Sequence, residues 1–376
     1  MRRKPRFACL NLPQASEMDK GAFFPAGSGA YKENTSRMAT TKVSGSPQRP
    51  LRNLSPEELE RFATERVIHV SGVLPEEWIR KIGAAVDAQT SAGGLQSMVA
   101  NSWFTDPAMH EIAMDCPTAW LAQQALDALT PEDDPSPRGN AKPVRFFYDQ
   151  AFVKHPASPG QGRDADRDGD LGNTPWHHDI TFWPMRGEQV VSLWIALDRT
   201  NLENGGLEFV PGSSFFGDSY RAVGVGEHGR VPFASDVLKE LPPINSATTG
   251  ETGAELTAIS FDLEPGDILV FDAHILHGAP PNLSDRSRRG IALRYFGGDI
   301  VLDNDKYGTR TSMAPLDCYD ESLSNGEKVR GFAYPQVLPE RIPAEVEMRL
   351  QGPILPSETK MQGWLERMQA AAALQE

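Results

Sequence analysis

The spacing of apolar residues divides the chain into a helical part followed by a part rich in strands. The first helix has a clear start signal, because Ser55 can act as its N-cap, Pro56 suits its first turn and Glu58 can close a capping box. Apolar residues then recur near the 3.6-residue spacing of amphipathic helices. We predict helices over 54–66, 75–89 and 117–129, with a short strand over 67–74.

From about residue 143 the apolar residues alternate with a period of two, and turns rich in Gly, Pro and Asn separate the segments. Short strands with few helices between them are typical of a sandwich or jelly-roll barrel. We therefore expect a mainly β fold whose early helices pack outside the barrel. The predicted strands are 144–155, 190–198, 206–212, 257–267, 268–278 and 289–297, and a terminal helix is predicted over 356–376.

The first fifty residues differ in composition from the rest. Residues 1–50 are rich in Ser, Gly, Thr and Pro, and they hold nine Lys and Arg against three acidic residues. We predict a mostly disordered extension over 1–50 and a single domain over 51–376. No apolar segment typical of a secretory signal is present there. A weak organelle transit peptide and a true start at Met38 are the alternatives.

Charge and cysteine content narrow the class of protein. The 376 residues carry a net charge of −14, and the part beyond residue 50 carries −20, which argues against a general nucleic-acid binder and against polyanionic substrates. No apolar run is long enough for a membrane span. The three cysteines lie far apart in the sequence, so they do not indicate a disulfide framework. This favours a reducing compartment, and we expect a cytoplasmic protein. The sequence does not indicate the oligomeric state.

The segment 174–184 reads TPWHHDITFWP and holds the most informative residues. On a strand, His177 and Asp179 would face the same side and could chelate one ion. His277, which lies 98 residues after Asp179, can supply a third ligand. Two histidines and one carboxylate form the facial triad of non-haem Fe(II) oxygenases, which leaves positions open for a cosubstrate and O₂.

A keto acid such as 2-oxoglutarate would chelate that iron and present a second carboxylate at its far end. A guanidinium binds such a carboxylate through two parallel hydrogen bonds. Arg288 lies eleven residues beyond His277, where the chain returns past the histidine as a strand. We therefore predict that Arg288 anchors the cosubstrate, with Arg286 in the turn and Arg289 on the opposite face as its rivals.

These motifs, in this order, resemble the phytanoyl-CoA dioxygenase family of Fe(II)/2-oxoglutarate oxygenases. The resemblance covers about 54–296, including TPWHHD, NGGLEFVPGSS and HGAPPNLSDRSRRGIALRYF. It implies a double-stranded β-helix, with His177, Asp179 and His277 as iron ligands and Arg288 on 2-oxoglutarate. It also implies that Trp194 and Gln150 line the cosubstrate pocket. Two positions depart from the family pattern, since His178 replaces the usual Gln and Ser214 the usual His.

Several other residues have both a functional and a structural interpretation. His178 and His274 are rival metal ligands, although each has the strand parity opposite to its neighbouring ligand. Lys154 suits either an anionic substrate or solvent. The acidic loop 163–170 resembles a calcium loop without its final Glu, and we interpret it as a solvated loop before the metal motif. Three aromatic residues flank that motif and suit either the core or a substrate wall: Trp176, Phe182 and Trp183.

The sequence thus predicts a dioxygenase that uses Fe(II), 2-oxoglutarate and O₂, with ascorbate in support, to hydroxylate or otherwise oxidise a C–H bond of a small molecule. Halogenation is disfavoured because Asp179 occupies the position that a halide would need. The rival from another class is a non-catalytic jelly-roll that binds a metal or ligand. Such a protein has no need of both an intact triad and Arg288.

Overall fold

The computed structural model describes residues 45–90, 96–104, 106–130, 139, 142–157, 172–217, 220, 238–303, 323–331 and 333–342. Within these described residues, four α-helices precede the main run of strands, and we number them α1 to α4. The capping box predicted at Ser55 is present, since Glu58 N–H donates to the serine hydroxyl and the Glu58 side chain accepts from Ser55 N–H. The helices are α1 (Pro56–Glu65), α2 (Glu76–Gln89), α3 (Pro107–Asp115) and α4 (Thr118–Ala128).

Seven strands form the larger sheet, which is antiparallel throughout. Its order is β1-β11-β6-β13-β3-β15, and β2 also pairs with β3. Most of these strands carry β-branched and aromatic residues that favour extended backbone. Their bounds are β1 (Val67–Val70), β2 (Gln96–Ala100), β3 (Val144–Lys154), β6 (Val190–Ala196), β11 (Ile268–Asp272), β13 (Arg288–Phe296) and β15 (Gln336–Leu338).

Four short strands form a second antiparallel sheet in the order β10-β7-β12-β4. Aromatic contacts connect the two sheets, because the Phe271 ring of β11 lies 5.1 Å from the rings of both Phe209 and His277. Strands β5 and β14 pair separately, as do β8 and β9. The remaining bounds are β4 (Thr174–His177), β5 (Met185–Arg186), β7 (Glu208–Phe209), β8 (Ile244–Asn245), β9 (Leu256–Thr257), β10 (Ile259–Ser260), β12 (His277–Ala279) and β14 (Val301–Leu302).

The two faces of the larger sheet carry different chemistry. On β13, Arg288, Gly290, Ala292 and Arg294 share one face by the period-two alternation of a strand, and this face looks toward the second sheet. Residues on the other face meet the helices, as Tyr295 does through a 2.8 Å hydrogen bond between its hydroxyl and that of Thr118 at the start of α4. The early helices therefore pack outside the barrel, as predicted.

Some boundaries differ from the predicted ones. The segments 206–212 and 257–267 form only two-residue strands, and 268–278 is divided by a turn into β11 and β12. Helix α3 and strand β2 have no counterpart among the predicted elements. The extension up to residue 44, the acidic loop 163–170 and the terminal helix 356–376 lie outside the described residues. Within the described part of the chain, no helix has the length and apolar character needed to cross a bilayer.

Candidate metal centre

The two histidines of the proposed triad come from different strands that lie side by side. His177 is the last residue of β4 and pairs directly with His277, the first residue of β12. Their ring centroids lie 4.2 Å apart. Asp179 is not on β4 as predicted, because the chain leaves the strand after His177 and enters a 3₁₀ turn at Asp179–Phe182. The turn, not strand alternation, brings the carboxylate beside the histidines.

One oxygen of the carboxylate faces both imidazoles. Asp179 Oδ1 lies 3.5 Å from Nε2 of His177 and 3.7 Å from Nε2 of His277. All three ligand atoms lie within 4.8 Å of one another, and all three residues are buried. Ligands at right angles and about 2.1 Å from one ion lie about 3 Å apart. A small contraction would therefore place all three on a single ion.

Backbone carbonyls fix the tautomer of both histidines. His177 Nδ1 lies 2.7 Å from the carbonyl oxygen of Pro175, and His277 Nδ1 lies 3.1 Å from that of Ile275. A carbonyl oxygen only accepts, so each Nδ1 carries a proton, and in the neutral form of either ring Nε2 holds its lone pair toward the centre. Burial and then the nearby His177 together lower the pKa of His277 to about 3, although Asp179 opposes this shift. The imidazole is therefore neutral at neutral pH, as a metal ligand must be.

Arg294 supplies a positive charge beside the carboxylate, a contact that the sequence does not predict. Its Nε and Nη2 atoms both lie 3.4 Å from Asp179 Oδ2. Burial raises the pKa of Asp179, but Arg294 and then His177 outweigh it and hold this pKa well below its usual range. The signal that could have indicated Arg294 is its parity with Arg288 on the same strand.

Arg288 lies on the inward face of β13, as predicted, and is 2% exposed. Its Nη2 donates to the carbonyl oxygen of Gly205, and its Cζ lies 5.2 Å from the Trp194 ring. Its Nε has no hydrogen-bond partner among the described residues, and no described carboxylate lies within ion-pair distance. Burial lowers the pKa of this guanidinium to about 10, with Asp198 opposing, so it remains a cation at neutral pH.

The two rival arginines lie elsewhere. Arg289 faces out of the barrel, where its guanidinium forms ion pairs of 2.7 Å with Asp198 and 2.8 Å with Asp87. The side chain of Arg286 lies in the turn and is 90% exposed. Arg288 is the one of the three arginines that is buried within the barrel. Its role toward 2-oxoglutarate remains a prediction.

The residues that the resemblance placed in the pocket share the inward face with Arg288. Trp194 and Gln150 flank Ala292, the first across β6 and the second across β3. The Trp194 ring lies across Gly290, where an added Cβ would come within 2.1 Å of it. Trp194 thus packs in the core of the barrel as well as against Arg288. Contact of Trp194 or Gln150 with a cosubstrate remains a prediction.

Lys154, Trp176 and Trp183 are buried structural residues, whereas Phe182 borders the candidate metal centre. Lys154 is buried instead of exposed, and its Nζ donates to the carbonyl oxygens of Ala279 at 3.2 Å and Pro280 at 2.8 Å. Phe182 packs against His177 with ring centroids 5.3 Å apart, so it forms a wall of the metal centre. The other two aromatic residues, Trp176 and Trp183, are buried in the core clusters.

The two positions that depart from the family pattern also have clear partners. His178 is buried, stacks on Tyr220 with centroids 5.6 Å apart, and its Nδ1 donates to the carbonyl oxygen of His274. Neither His178 nor His274 belongs to the group of ligand atoms around Asp179. Ser214 donates to Asp272 Oδ1 at 2.8 Å, which ties the turn after β7 to the end of β11.

This arrangement makes a sharp prediction about the two adjacent histidines. His178→Ala should keep metal affinity within about threefold of the wild type, whereas His177→Ala should lose more than about a hundredfold. Equilibrium titration of each purified variant with Fe(II) under nitrogen measures both affinities. Equal losses in the two variants would mean that His178, and not His177 alone, belongs to the ligand set.

Comparison with known proteins settles the family. The family model described as phytanoyl-CoA dioxygenase matches residues 54–290, which is more than half of the chain. The chain belongs to the phytanoyl-CoA dioxygenase family. The match begins at the first helix and ends within β13, so it includes the three residues of the candidate metal centre and Arg288.

Individual relatives are distant and aligned over part of their length. The dioxygenase lolE1 of Epichloe uncinata is 30% identical over 33% of this chain and 39% of its own length. A probable alpha-ketoglutarate-dependent hypophosphite dioxygenase of Stutzerimonas stutzeri is 31% identical over 37% of this chain and 45% of its own. The chain thus aligns with less than half the length of either relative.

A solved structure confirms the fold class. The epimerase SnoN, solved in complex with Fe³⁺, alpha ketoglutarate and nogalamycin RO, superposes with a TM-score of 0.51 over 75% of this chain and 97% of its own. The two sequences are 19% identical, so the likeness concerns the fold. The predicted jelly-roll, a double-stranded β-helix of the cupin type, is therefore confirmed, together with the helices that precede it.

Proposed function

We propose that the protein is an Fe(II)- and 2-oxoglutarate-dependent dioxygenase that hydroxylates, or otherwise oxidises, a C–H bond of a small molecule. The observation that carries the proposal is one barrel holding both a His-Asp-His group and a buried arginine with no described carboxylate partner. Metal ligation and cosubstrate anchoring need these two features together. Family membership and the ligands of SnoN support the same assignment.

The donor set suits Fe(II). His177, Asp179 and His277 would hold the metal through two neutral imidazoles and one carboxylate oxygen, which leaves three octahedral positions open. When bound, Fe(II) with 2-oxoglutarate and O₂ supplies C–H oxidation coupled to decarboxylation of the cosubstrate to succinate and CO₂. The chain's own part is to hold the ligands, anchor the cosubstrate and exclude water.

Arg288 would anchor the far carboxylate of 2-oxoglutarate. Its buried charge is costly without a counter-ion, and a carboxylate ligand would remove that cost. The Trp194 ring and the Gly205 carbonyl both contact the guanidinium and help to hold it in place. The Arg288 Nε atom, for which the described residues supply no acceptor, is a donor available to the ligand.

An open groove of about 720 Å³ is lined by Tyr220 and by none of the three proposed ligands, so its proposed role as a substrate entrance rests on Tyr220. Tyr220 lines this groove and also stacks on His178, the neighbour of two proposed ligands. Both apolar and acidic side chains border it, including Phe216, Leu256, Glu251 and Glu255. This border suits an uncharged or cationic small molecule better than a polyanion.

The test is a screen of small molecules with purified protein, Fe(II), ascorbate and isotope-labelled 2-oxoglutarate. The expected result is succinate release that depends on one class of added compound and on O₂. The competing proposal, a binding protein without catalysis, predicts that Fe(II) and 2-oxoglutarate bind while succinate stays at background with every compound. Failure to bind Fe(II) at all would remove both proposals.

A further inference from the structure

The two oxygens of the Asp179 carboxylate have separate partners. Oδ1 faces Nε2 of both triad histidines, whereas Oδ2 accepts from Ser192 Oγ at 3.2 Å and from Arg294 at 3.4 Å. We propose that Arg294, with Ser192, is a positioning residue that keeps Asp179 a monodentate metal ligand through Oδ1. This inference rests on the proposed metal site.

Strand register explains why two side chains reach the same oxygen. Arg294 on β13 is directly opposite Ser192 on β6, and both point into the barrel. Ser192 is fully buried and Arg294 is 4% exposed, so neither contact competes with bulk solvent. The sheet thus presents a cationic donor and a hydroxyl donor side by side, and Asp179 meets both with one oxygen.

Aromatic packing holds the guanidinium in place. The Arg294 Cζ atom lies 4.5 Å from the Tyr148 ring and 5.6 Å from the Trp183 ring. Those two rings are tied together by a 3.2 Å hydrogen bond from Trp183 Nε1 to the tyrosine hydroxyl. Contact with aromatic faces stabilises a cation, so the guanidinium does not need a second carboxylate to hold it in place. Among the described residues, Asp179 is the only carboxylate paired with Arg294.

The consequence concerns the open positions of the metal. A carboxylate that is free to turn can bind an ion through both oxygens and occupy one of the three positions that the facial triad leaves open. With Oδ2 engaged by Arg294 and Ser192, only Oδ1 would be available to a bound ion. The pair would thereby keep open the positions that a chelating keto acid needs.

The test uses Co(II) in place of iron, because its visible absorption reports coordination number without turnover. Arg294→Met should weaken Co(II) binding about 10- to 100-fold, the usual cost of losing a partner of a metal ligand, and change the absorption band. Arg294→Lys, which keeps the charge, should restore part of the affinity. Ser192→Ala should show the same spectral change with a smaller loss. Arg289→Met, on the outward face of the same strand, should match the wild type.

Removing a positive charge near a cation site would by itself tighten binding. Equal or tighter Co(II) binding by Arg294→Met, with an unchanged spectrum, would therefore overturn the positioning role while leaving the proposed function intact. Absence of Co(II) and Fe(II) binding in the wild type would overturn both. Circular dichroism checks folding, and if Arg294→Met does not fold, the Ser192→Ala spectrum decides, with an unchanged band counting against the proposal.

Discussion

Asp179→Ala should lower Fe(II) affinity more than about a hundredfold and reduce succinate release to background. Loss of an outer partner of a ligand costs about 10- to 100-fold, and loss of the ligand itself should cost more. The variant also leaves Arg294 as a buried cation beside the metal position. Anaerobic Fe(II) titration and labelled-succinate assays of the purified variant measure the two effects.

The same variant tests hydroxylase against halogenase geometry. The position vacated by the carboxylate could accept chloride. Halogenation, however, also requires the substrate to lie closer to the halide than to the oxygen donor. We expect little or no halogenated product when chloride is added. Full succinate release by Asp179→Ala without halide would show that Asp179 is not a ligand, and the facial-triad proposal would fall with it.

Removing one partner of a buried ion pair costs about 3–5 kcal/mol of stability. The loss of Fe(II) by Asp179→Ala must therefore be separated from any loss of folding. His277→Ala removes a neutral ligand and leaves no unpaired charge, and it should lose Fe(II) as fully as Asp179→Ala does. Asp198→Ala removes a carboxylate that pairs with Arg289 outside the barrel. That control should keep Fe(II) affinity near the wild-type value.

The candidate ligands could be predicted from sequence because their chemistry is carried by residue type and order. His177, Asp179 and His277 need no knowledge of exact geometry to stand out as a metal-binding set. The expected geometry was still wrong in one respect. Strand alternation placed Asp179 two rungs from His177, whereas β4 ends at His177 and a 3₁₀ turn follows. Alternation predicts facing only while the strand continues.

Contacts between distant segments were the part that sequence could not supply. Arg294 lies 115 residues from Asp179, and although its parity with Arg288 places it on the inner face of β13, no local pattern indicates that it meets Asp179. Lys154 likewise suits solvent by its residue type, yet carbonyl oxygens from residues more than 120 positions away satisfy its ammonium group in the interior. Two-residue strands such as β8 and β14 have no period to detect.

The final prediction concerns Arg288, whose position was predictable while its surroundings were not. Its guanidinium is buried as fully as the triad, and burial lowers its pKa to about 10 without removing its charge at neutral pH. A buried cation is stabilised when an anionic ligand binds beside it. The far carboxylate of 2-oxoglutarate has the charge and the planar pair of oxygens that this requires.

Arg288→Gln should therefore weaken 2-oxoglutarate binding strongly while leaving Fe(II) affinity near the wild-type value. Each charge-assisted hydrogen bond contributes about 1.5–3 kcal/mol, so loss of two corresponds to roughly a 10²- to 10⁴-fold weaker affinity. Calorimetric titration of 2-oxoglutarate into the Fe(II)-loaded protein under nitrogen measures the change. Arg286→Gln and Arg289→Gln are matched controls, since one side chain is solvent-exposed and the other is paired outside the barrel. Should either control lose affinity while Arg288→Gln does not, the anchoring role would belong to that arginine, and the buried charge of Arg288 would need another counter-ion.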